Sequence, residues 1–262
     1  MAESVQTKMQ MIHDPKRPGV DDYAAALLDD FVELHGDRAF GEDRAICAGI
    51  GLLAGRPVTL IGHRKGRTTE EKIASNFGMP HPEGYRKALR LAHQAEKFGR
   101  PVILFVDTPG AFCGVGAEER GQGEAIARCL YDFMALRTPV LSIVAGEGGS
   151  GGALALAVAD RVLMLKNALY SVISPRGCAS ILWKDASREI EAAERLKITA
   201  QDLYDFGMIE GIIPESPSII KNVKKAVISA LHELCAEPNM DELLKKRYEK
   251  FRKIGVFQEI NQ

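Results

Sequence analysis

The sequence predicts an α/β protein in which helices cover a parallel β-sheet. Two apolar, β-prone runs, Pro101–Val106 and Val140–Val144, have the composition of buried parallel strands. Each is preceded by a segment with helical periodicity and followed by a glycine-rich loop. Successive strand–loop–helix steps place both loops at the carboxyl edge of one sheet. We therefore expect the loop at 108–116 to face the glycine turn at 146–152.

The first third of the chain adds a helix and a hairpin to this sheet. Asp21 can cap a helix whose apolar stripe runs to Phe31, with spacings of three and four residues. Two β-prone runs, Ala45–Leu53 and Pro57–Gly62, are joined by a short Ala-Gly-Arg turn and predict a hairpin. Glu83–Phe98 then reads as an amphipathic helix that ends at Gly99.

The remaining segments predict further strands and helices and a three-part domain organisation. Strands are expected at 161–165, 170–173 and 207–213, and helices at 122–136, 174–183, 189–197, 200–206 and from 218 onward. The segment after Met240 is so highly charged that we expect a solvated terminal helix. The predicted organisation is a lead-in at 1–20, one domain at 21–235 and a charged helix at 236–262.

Composition excludes several classes of function. The 34 Lys and Arg residues nearly balance 35 Asp and Glu residues, for a net charge of −1, which argues against nucleic-acid or membrane-surface binding. The five cysteines are scattered without a C-x-x-C pair, which indicates reduced thiols and no zinc site in this chain. The polar N-terminus lacks the apolar core of a signal peptide, and no apolar run is long enough to span a membrane. We expect a cytoplasmic protein.

The stretch from Thr138 to Asp160 carries the strongest functional signal. Five glycines (Gly146, Gly148, Gly149, Gly151 and Gly152) separate the strand from a helix expected to begin at Ala153. Glycine permits positive φ and close approach of a ligand. The unpaired N–H groups of a first helical turn attract negative charge. The sequence therefore predicts an anion site.

Three interpretations compete for this turn. The G-x-G-x-x-G match predicts a dinucleotide site, but the next strand ends in Lys166-Asn167 instead of the acidic residue that would bind ribose. The G-x-S-x-G match makes Ser150 a candidate nucleophile, yet the only later histidine is His232 in a charged amphipathic segment. The third interpretation is an oxyanion hole of backbone N–H groups, with Ser150 a small turn residue. A fourth explanation involves no ligand: the glycines are needed only to pack a helix against a strand.

A basic segment, His63-Arg64-Lys65-Gly66-Arg67, follows the second strand of the hairpin. Three cations around a glycine are compatible with a solvated loop. They are also compatible with a contact for phosphate or a carboxylate. The sequence leaves both interpretations open.

Four segments together resemble one known family. ASNFGMPHPEGYRKALRL (74–91), DTPGAFCGVGAEERGQGEAIA (107–127), GEGGSGGALAL (146–156) and YSVISPRGCASILWKDA (170–186) are similar to the alpha subunit of bacterial acetyl-CoA carboxylase carboxyltransferase. The similarity runs over roughly residues 15 to 215. It implies the crotonase-like ββα superhelix, also called the ClpP/crotonase fold. The chain departs from the pattern at Arg176, where an acidic residue is usual, after Pro214 and in its short N-terminus.

The resemblance implies transfer of a carboxyl group from carboxybiotin to acetyl-CoA, which forms malonyl-CoA for fatty acid synthesis. Biotin provides the base, so the protein must stabilise two oxyanions, one on biotin and one on the thioester enolate. The matching residues for the first are Gly151 and Gly152, through their backbone N–H groups. Contacts to substrate are expected from neighbouring residues: Gly148, Gly149, Gly110, Ala111 and Phe112.

The resemblance also implies partners. These are a beta subunit that carries a zinc ribbon, the biotin carboxyl carrier protein and biotin carboxylase, with two alpha and two beta subunits sharing interfacial active sites. Biotin would be bound covalently to the carrier and zinc only to the beta subunit. Alternatives are a carboxyltransferase for another acyl-CoA, a biotin-dependent decarboxylase, a hydratase or isomerase using Glu118 and Glu119, and a non-catalytic scaffold.

Overall fold

The computed structural model describes residues 3–255 and contains one eight-stranded mixed sheet. The strand order is β1-β2-β3-β4-β5-β6-β8, and β7 pairs with β5 beside this path. The strands are β1 (Asp29–Glu33), β2 (Ile46–Leu53), β3 (Arg56–His63), β4 (Val102–Thr108), β5 (Val140–Gly149), β6 (Arg161–Leu165), β7 (Leu169–Ser171) and β8 (Gly211–Ile213).

Helices pack on both faces of this sheet and alternate with the parallel strands. Within residues 3–255, no helix combines the length and apolar character needed to cross a membrane. The helices are α1 (Val5–Met11), α2 (Val20–Leu27), α3 (Thr69–Ala74), α4 (Pro82–Lys97), α5 (Val115–Glu119), α6 (Gln122–Ala135), α7 (Ser150–Leu154), α8 (Pro175–Trp183), α9 (Glu189–Leu196), α10 (Ala200–Asp205), α11 (Ile219–Cys235) and α12 (Met240–Arg252).

The antiparallel part of the sheet confirms the predicted hairpin and corrects the end of the helix predicted from Asp21. β2 and β3 pair antiparallel from Leu53↔Arg56 to Ile46↔His63, as predicted. α2 ends at Leu27, whereas the apolar stripe predicted that this helix continues to Phe31. Phe31 instead lies in β1, where its ring covers Gly49 of β2 and leaves no space for a Cβ atom there. This long-range contact overrides the local helical periodicity.

The parallel part of the sheet places two strand ends side by side. β4 and β5 run parallel from Val102↔Val140 to Thr108↔Gly148. The first half of β5 also pairs with β6, whereas Glu147 to Gly149 pair with β7. β5 therefore exchanges one neighbour for another where its glycines begin.

The predicted amphipathic helix at 83–98 is confirmed as α4. It buries a face made of Tyr85, Ala88, Leu91, Ala92 and Ala95 against the sheet. The long loop predicted after β4 contains a short helix, α5, that its glycine-rich sequence did not indicate. α4 and α6 pack on each other, and α6 also contacts α5 and α7. They support the loop that follows β4.

The C-terminal helix is attached to the domain more firmly than its charge suggested. Leu243 and Arg247 of α12 are buried, which contradicts the expectation of a solvated helix for this face. The Arg247 guanidinium forms a bidentate pair with Asp160, with distances of 2.8 and 2.7 Å. The division of the chain at residue 235 stays a prediction, and the predicted helical segment at 256–262 lies outside the described residues.

Candidate functional site

The glycine-rich stretch divides between a strand and a helix. β5 continues through Gly149, and α7 begins at Ser150, three residues before the predicted start at Ala153. Two of the five glycines, Gly151 and Gly152, therefore lie inside the first turn of α7. The stretch is thus a strand that passes directly into a five-residue helix, with no loop residue between them.

The loop after β4 lies directly against this junction, as the strand order predicted. A Cβ atom added at Gly149 would overlap the carbonyl of Pro109, and one added at Gly152 would overlap the Ala111 nitrogen. A Cβ at Gly152 would also lie 2.9 Å from the Tyr85 hydroxyl. The two segments touch, and glycine is required at these two positions for the backbones to approach. The packing explanation therefore accounts for them without a ligand.

Gly151 is different from the other glycines of the stretch. Its nearest neighbour for an added Cβ atom is the Cγ2 of Ile126 at 3.6 Å, an ordinary contact distance. Cβ atoms at Gly146 and Gly148 would collide with Asp107 and with the Tyr170 ring, as at the two positions above. Among the five glycines, Gly151 alone would accept a Cβ atom at ordinary contact distance, and the residue is half-buried. It is therefore the position of the five where added atoms meet the least steric obstruction.

The N–H groups of Gly151 and Gly152 are available as donors. Both belong to the first turn of α7, whose amides have no intrahelical acceptor. In the part of the chain that the structure describes, neither donates to a backbone carbonyl outside the regular elements, and no side chain caps α7. The Ala111 nitrogen adjoins Gly152 from the facing loop. Adjacent backbone donors of this kind suit an oxygen that carries negative charge.

The facing loop is held rigidly by its own hydrogen bonds. The Thr108 hydroxyl accepts a bond from the Gly110 N–H (3.0 Å) and donates one to the Gly110 carbonyl (2.8 Å). The Phe112 N–H donates to the Pro80 carbonyl (3.0 Å), and its ring packs on His81 at 4.6 Å between centroids. The predicted substrate contacts at Gly110, Ala111 and Phe112 thus lie in a fixed wall beside the glycine turn.

Ser150 has part of the geometry of a nucleophile but lacks the partners. Its φ of 53° places it in the left-handed region, as in a nucleophile elbow, and its side chain is exposed. Among residues 3–255, no hydrogen bond connects its hydroxyl to a histidine. His232 lies exposed on α11, far along the chain from this turn. The structure does not assemble a catalytic triad around Ser150.

Glu118 and Glu119, the candidate acid and base of the hydratase alternative, lie on α5. Both side chains are exposed, and in the described part of the chain neither carboxylate accepts a hydrogen bond from another side chain. A general acid or base must be positioned within hydrogen-bond reach of its substrate. The structure supplies no such positioning for these two carboxylates.

A charged trio that the sequence analysis did not identify joins the ends of three strands. Lys65, just after β3, lies 2.8 Å from the Asp107 carboxylate in β4 and 3.1 Å from the Glu147 carboxylate in β5. The Asp107 carboxylate also accepts the Glu147 N–H at 2.9 Å. Burial alone would lower the pKa of Lys65, but the two carboxylates hold it above its ordinary value. The trio fixes β4 and β5 immediately before the site.

The other members of the basic segment are also neutralised within the chain. Arg64 pairs with Asp21 (2.6 Å) and Glu33 (3.0 Å), and Arg67 pairs with Asp22. These cations therefore contact carboxylates of their own chain, so the segment is not a free site for phosphate. His63 is buried, and burial lowers its pKa to about 4. It is a neutral imidazole whose Nδ1 accepts the Asp107 N–H at 3.4 Å.

A groove of about 540 Å³ opens beside the last residues of β5. Its walls are the glycine strand end and helices α1 and α9, and its lining includes Met9, Pro109, Gly148, Gly149, Ser171 and Ile190. This volume and its mixture of apolar walls with a few polar groups are typical of small-molecule sites. The predicted contacts Gly148 and Gly149 therefore face a groove that can hold a ligand.

Exposed apolar side chains flank this region. Val172 follows β7 and is 79% exposed, and Ile181 and Leu182 of α8 are 63% and 64% exposed. The preceding residue, Ser171, pairs with Gly149 in the sheet. An apolar surface next to a site is typical of contact with another protein.

Comparisons with known proteins agree on one family. The model of the family "Acetyl co-enzyme A carboxylase carboxyltransferase-like" matches residues 3–255. The acetyl-coenzyme A carboxylase carboxyl transferase subunit alpha of Clostridium perfringens is 58% identical over 94% of this chain and 94% of its own length. The protein of the same name from Listeria monocytogenes is 54% identical over 95% of this chain and 81% of its own length.

Two solved structures share the fold at low sequence identity. The transcarboxylase 12S crystal structure with methylmalonyl-coenzyme A bound has a TM-score of 0.73 and 20% identity, and covers 91% of this chain and 46% of that one. A Pseudomonas malonate decarboxylase hetero-tetramer in complex with coenzyme A has a TM-score of 0.62 and 19% identity, and covers 79% of this chain and 88% of that one. These likenesses confirm the predicted crotonase-like fold.

Proposed function

The chain belongs to the acetyl-CoA carboxylase carboxyltransferase family, and from that premise we propose that its Gly151 and Gly152 amides stabilise an oxyanion during carboxyl transfer. The chain is a carboxyltransferase subunit of acetyl-CoA carboxylase, an enzyme of fatty acid synthesis. The observation that carries the proposal is the pair of N–H groups in the first turn of α7 for which residues 3–255 show no acceptor, at a position, Gly151, that has room for an added Cβ atom.

The residues present fit biotin as the group on which the charge develops. Carboxybiotin on a carrier protein supplies the carboxyl group and afterwards the base. The Gly151 and Gly152 N–H groups donate to the oxygen that becomes negative, and each donor of this kind contributes about 3 kcal/mol to the transition state. The Gly151 position has room for an added Cβ atom, and the Lys65 trio holds the ends of β4 and β5 beside the site. No side chain of this chain is required as a base.

The remaining assignments belong to the same proposal. Relatives of this chain are named subunit alpha, which supports a beta partner in a biotin-dependent carboxylase. We assign the zinc ribbon to that partner, expect two alpha and two beta subunits in the cytoplasm, and expect biotin to arrive on the carrier protein after biotin carboxylase has acted. Substrate contacts are assigned to Gly148, Gly149 and the loop at 110–112, and acetyl-CoA is the acceptor.

We expect Val172→Asp to prevent assembly with the beta subunit while the chain itself still folds. A carboxylate at this 79% exposed position costs the free chain little, but it would be buried without a partner in an interface. Size-exclusion chromatography of the co-expressed subunits measures assembly. Val32→Asp is the matched control, because Val32 is 60% exposed on β1, an edge strand of the sheet that does not adjoin β7. Normal assembly of Val172→Asp would place the interface elsewhere.

We expect Ser150→Ala to retain most of the carboxyltransferase activity. The variant removes the hydroxyl and leaves the backbone N–H groups, and Ser150→Gly adds a control in which the positive φ of 53° is unstrained. Malonyl-CoA formation by the reconstituted complex is the measurement. A loss of more than about tenfold in both variants would favour the serine-nucleophile interpretation over backbone donors.

A further inference from the structure

We propose a second ligand site, for a small organic phosphate, at the edge of the sheet opposite the glycine turn. A cavity of about 400 Å³ lies where β3 and β4 begin and where α11 ends, with Arg56, Phe98, Arg100, Cys235 and Met240 in its lining. The volume falls within the range of small-molecule sites. This site stands independently of the proposed function, because it shares no residue with the glycine turn.

Among the described residues, the two guanidinium groups in this cavity have no carboxylate partner. Arg100 donates there to neutral oxygens, those of Thr59 (3.1 Å) and Gln94 (3.3 Å). Burial lowers the pKa of Arg100, and no carboxylate compensates for it. Arg56 is exposed, lies against the Cys235 thiol and, within residues 3–255, forms no ion pair. An anion bound here would therefore not have to displace a carboxylate from either guanidinium group.

Two acidic side chains that lie close to lining residues in sequence both contact Arg137. Asp241, next to Met240, pairs with Arg137 at 2.7 Å, and the Glu96 carboxylate accepts the Arg137 N–H at 2.8 Å. Lys97 adds a third cation, with its Nζ 5.7 Å from the centre of the Phe98 ring. The cations around the cavity are therefore not neutralised by these two carboxylates.

The shape and chemistry of the cavity select the class of ligand. Guanidinium groups bind phosphate through paired, charge-assisted hydrogen bonds, and Arg56 and Arg100 both line this cavity. The other walls are apolar, because Pro57, Pro101 and Pro139 join the 60% exposed Phe98 ring. A phosphate attached to a flat apolar group would use both features. An inorganic anion would use only the first.

Phenyl phosphate is a suitable probe. Inorganic phosphate and phenol are the controls, because they test the phosphate group and the aromatic ring separately. We expect phenyl phosphate to shift the methyl NMR signal of Met240 saturably, with higher affinity than inorganic phosphate, and phenol to have no effect. Arg56→Gln and Arg100→Gln should each weaken binding by about tenfold or more. Arg176→Gln removes an exposed cation at the opposite edge of the sheet and should leave binding unchanged.

Two results would overturn the assignment. One is the absence of a saturable Met240 shift with phenyl phosphate at millimolar concentration. The other is a shift that survives in the double variant Arg56→Gln/Arg100→Gln while the thermal unfolding of that variant stays normal. Because the readout is binding, either result leaves the carboxyltransferase proposal unaffected.

Discussion

Replacing Gly151 by valine is expected to lower malonyl-CoA formation by at least about a hundredfold while the chain keeps its fold. Position 151 has space for a side chain, because an added Cβ atom meets only Ile126 at 3.6 Å. Its φ does not lie in the left-handed region, so valine adopts the backbone without strain. The branched side chain would occupy the space through which the charged oxygen reaches the amides. Steady-state kinetics of the reconstituted complex measure the loss.

Three further glycine variants separate a blocked site from a damaged fold. Gly123→Val places the same side chain on exposed α6, where nothing lies within 4 Å of an added Cβ, and should remain active. Gly151→Ala should reduce activity less than valine does. Gly152→Ala should destabilise the fold, because its Cβ would overlap the Ala111 nitrogen. If Gly151→Val keeps more than about a tenth of wild-type activity, the Gly151 amide does not hold the oxyanion.

The order of strands and helices could be predicted because local patterns dominate it. The apolar runs that became β4 and β5, and the periodic segments that became α4 and α6, carry their own signal. β1 was missed because Phe31 continues a helical stripe in sequence, and only its packing over Gly49 makes it a strand residue. Such a contact joins residues far apart in the chain, so no local window contains it.

The location of the site could be predicted from the sequence, but the separate roles of its glycines could not. Five glycines indicated an approach of backbone or ligand without saying which of the two each position serves. The structure shows that Gly149 and Gly152 accommodate the loop after β4, whereas Gly151 has room for a Cβ atom. This difference depends on the position of a neighbouring loop, which no spacing within the stretch encodes.

The role of Lys65 near the site could not be predicted either, because it depends on residues that lie far away in the chain. Lys65 and its neighbours looked like candidates for binding an external anion. In the structure, Asp107 and Glu147 from the next two strands take Lys65 as their partner. The only sequence signal is that all three residues lie at or near the ends of apolar runs. In a parallel sheet those ends meet at one edge. Polar residues at several strand ends should therefore be treated as possible partners of one another.

Arg247→Met is expected to lower the free energy of unfolding by about 3 to 5 kcal/mol, the usual consequence of removing one partner from a buried ion pair. The Arg247 side chain is fully buried and Asp160 is 3% exposed. The guanidinium also donates to the carbonyls of Phe133 (2.7 Å), Leu136 (2.8 Å) and Thr138 (3.0 Å). It therefore binds α12 to the end of α6 and the approach to β5.

Urea or thermal unfolding of the isolated chain measures this effect, and the midpoint temperature should fall by on the order of 10 °C. Arg252→Met, on the same helix but exposed, is the matched control and should change stability by less than about 0.5 kcal/mol. Because the pair is buried, the loss should persist in high salt, unlike that of a surface pair. Adding Asp160→Asn to Arg247→Met should cost less than the sum of the single variants, since no buried charge is then left uncompensated. A loss below about 1 kcal/mol for Arg247→Met would mean that α12 is a solvated appendage, as its charge alone suggested.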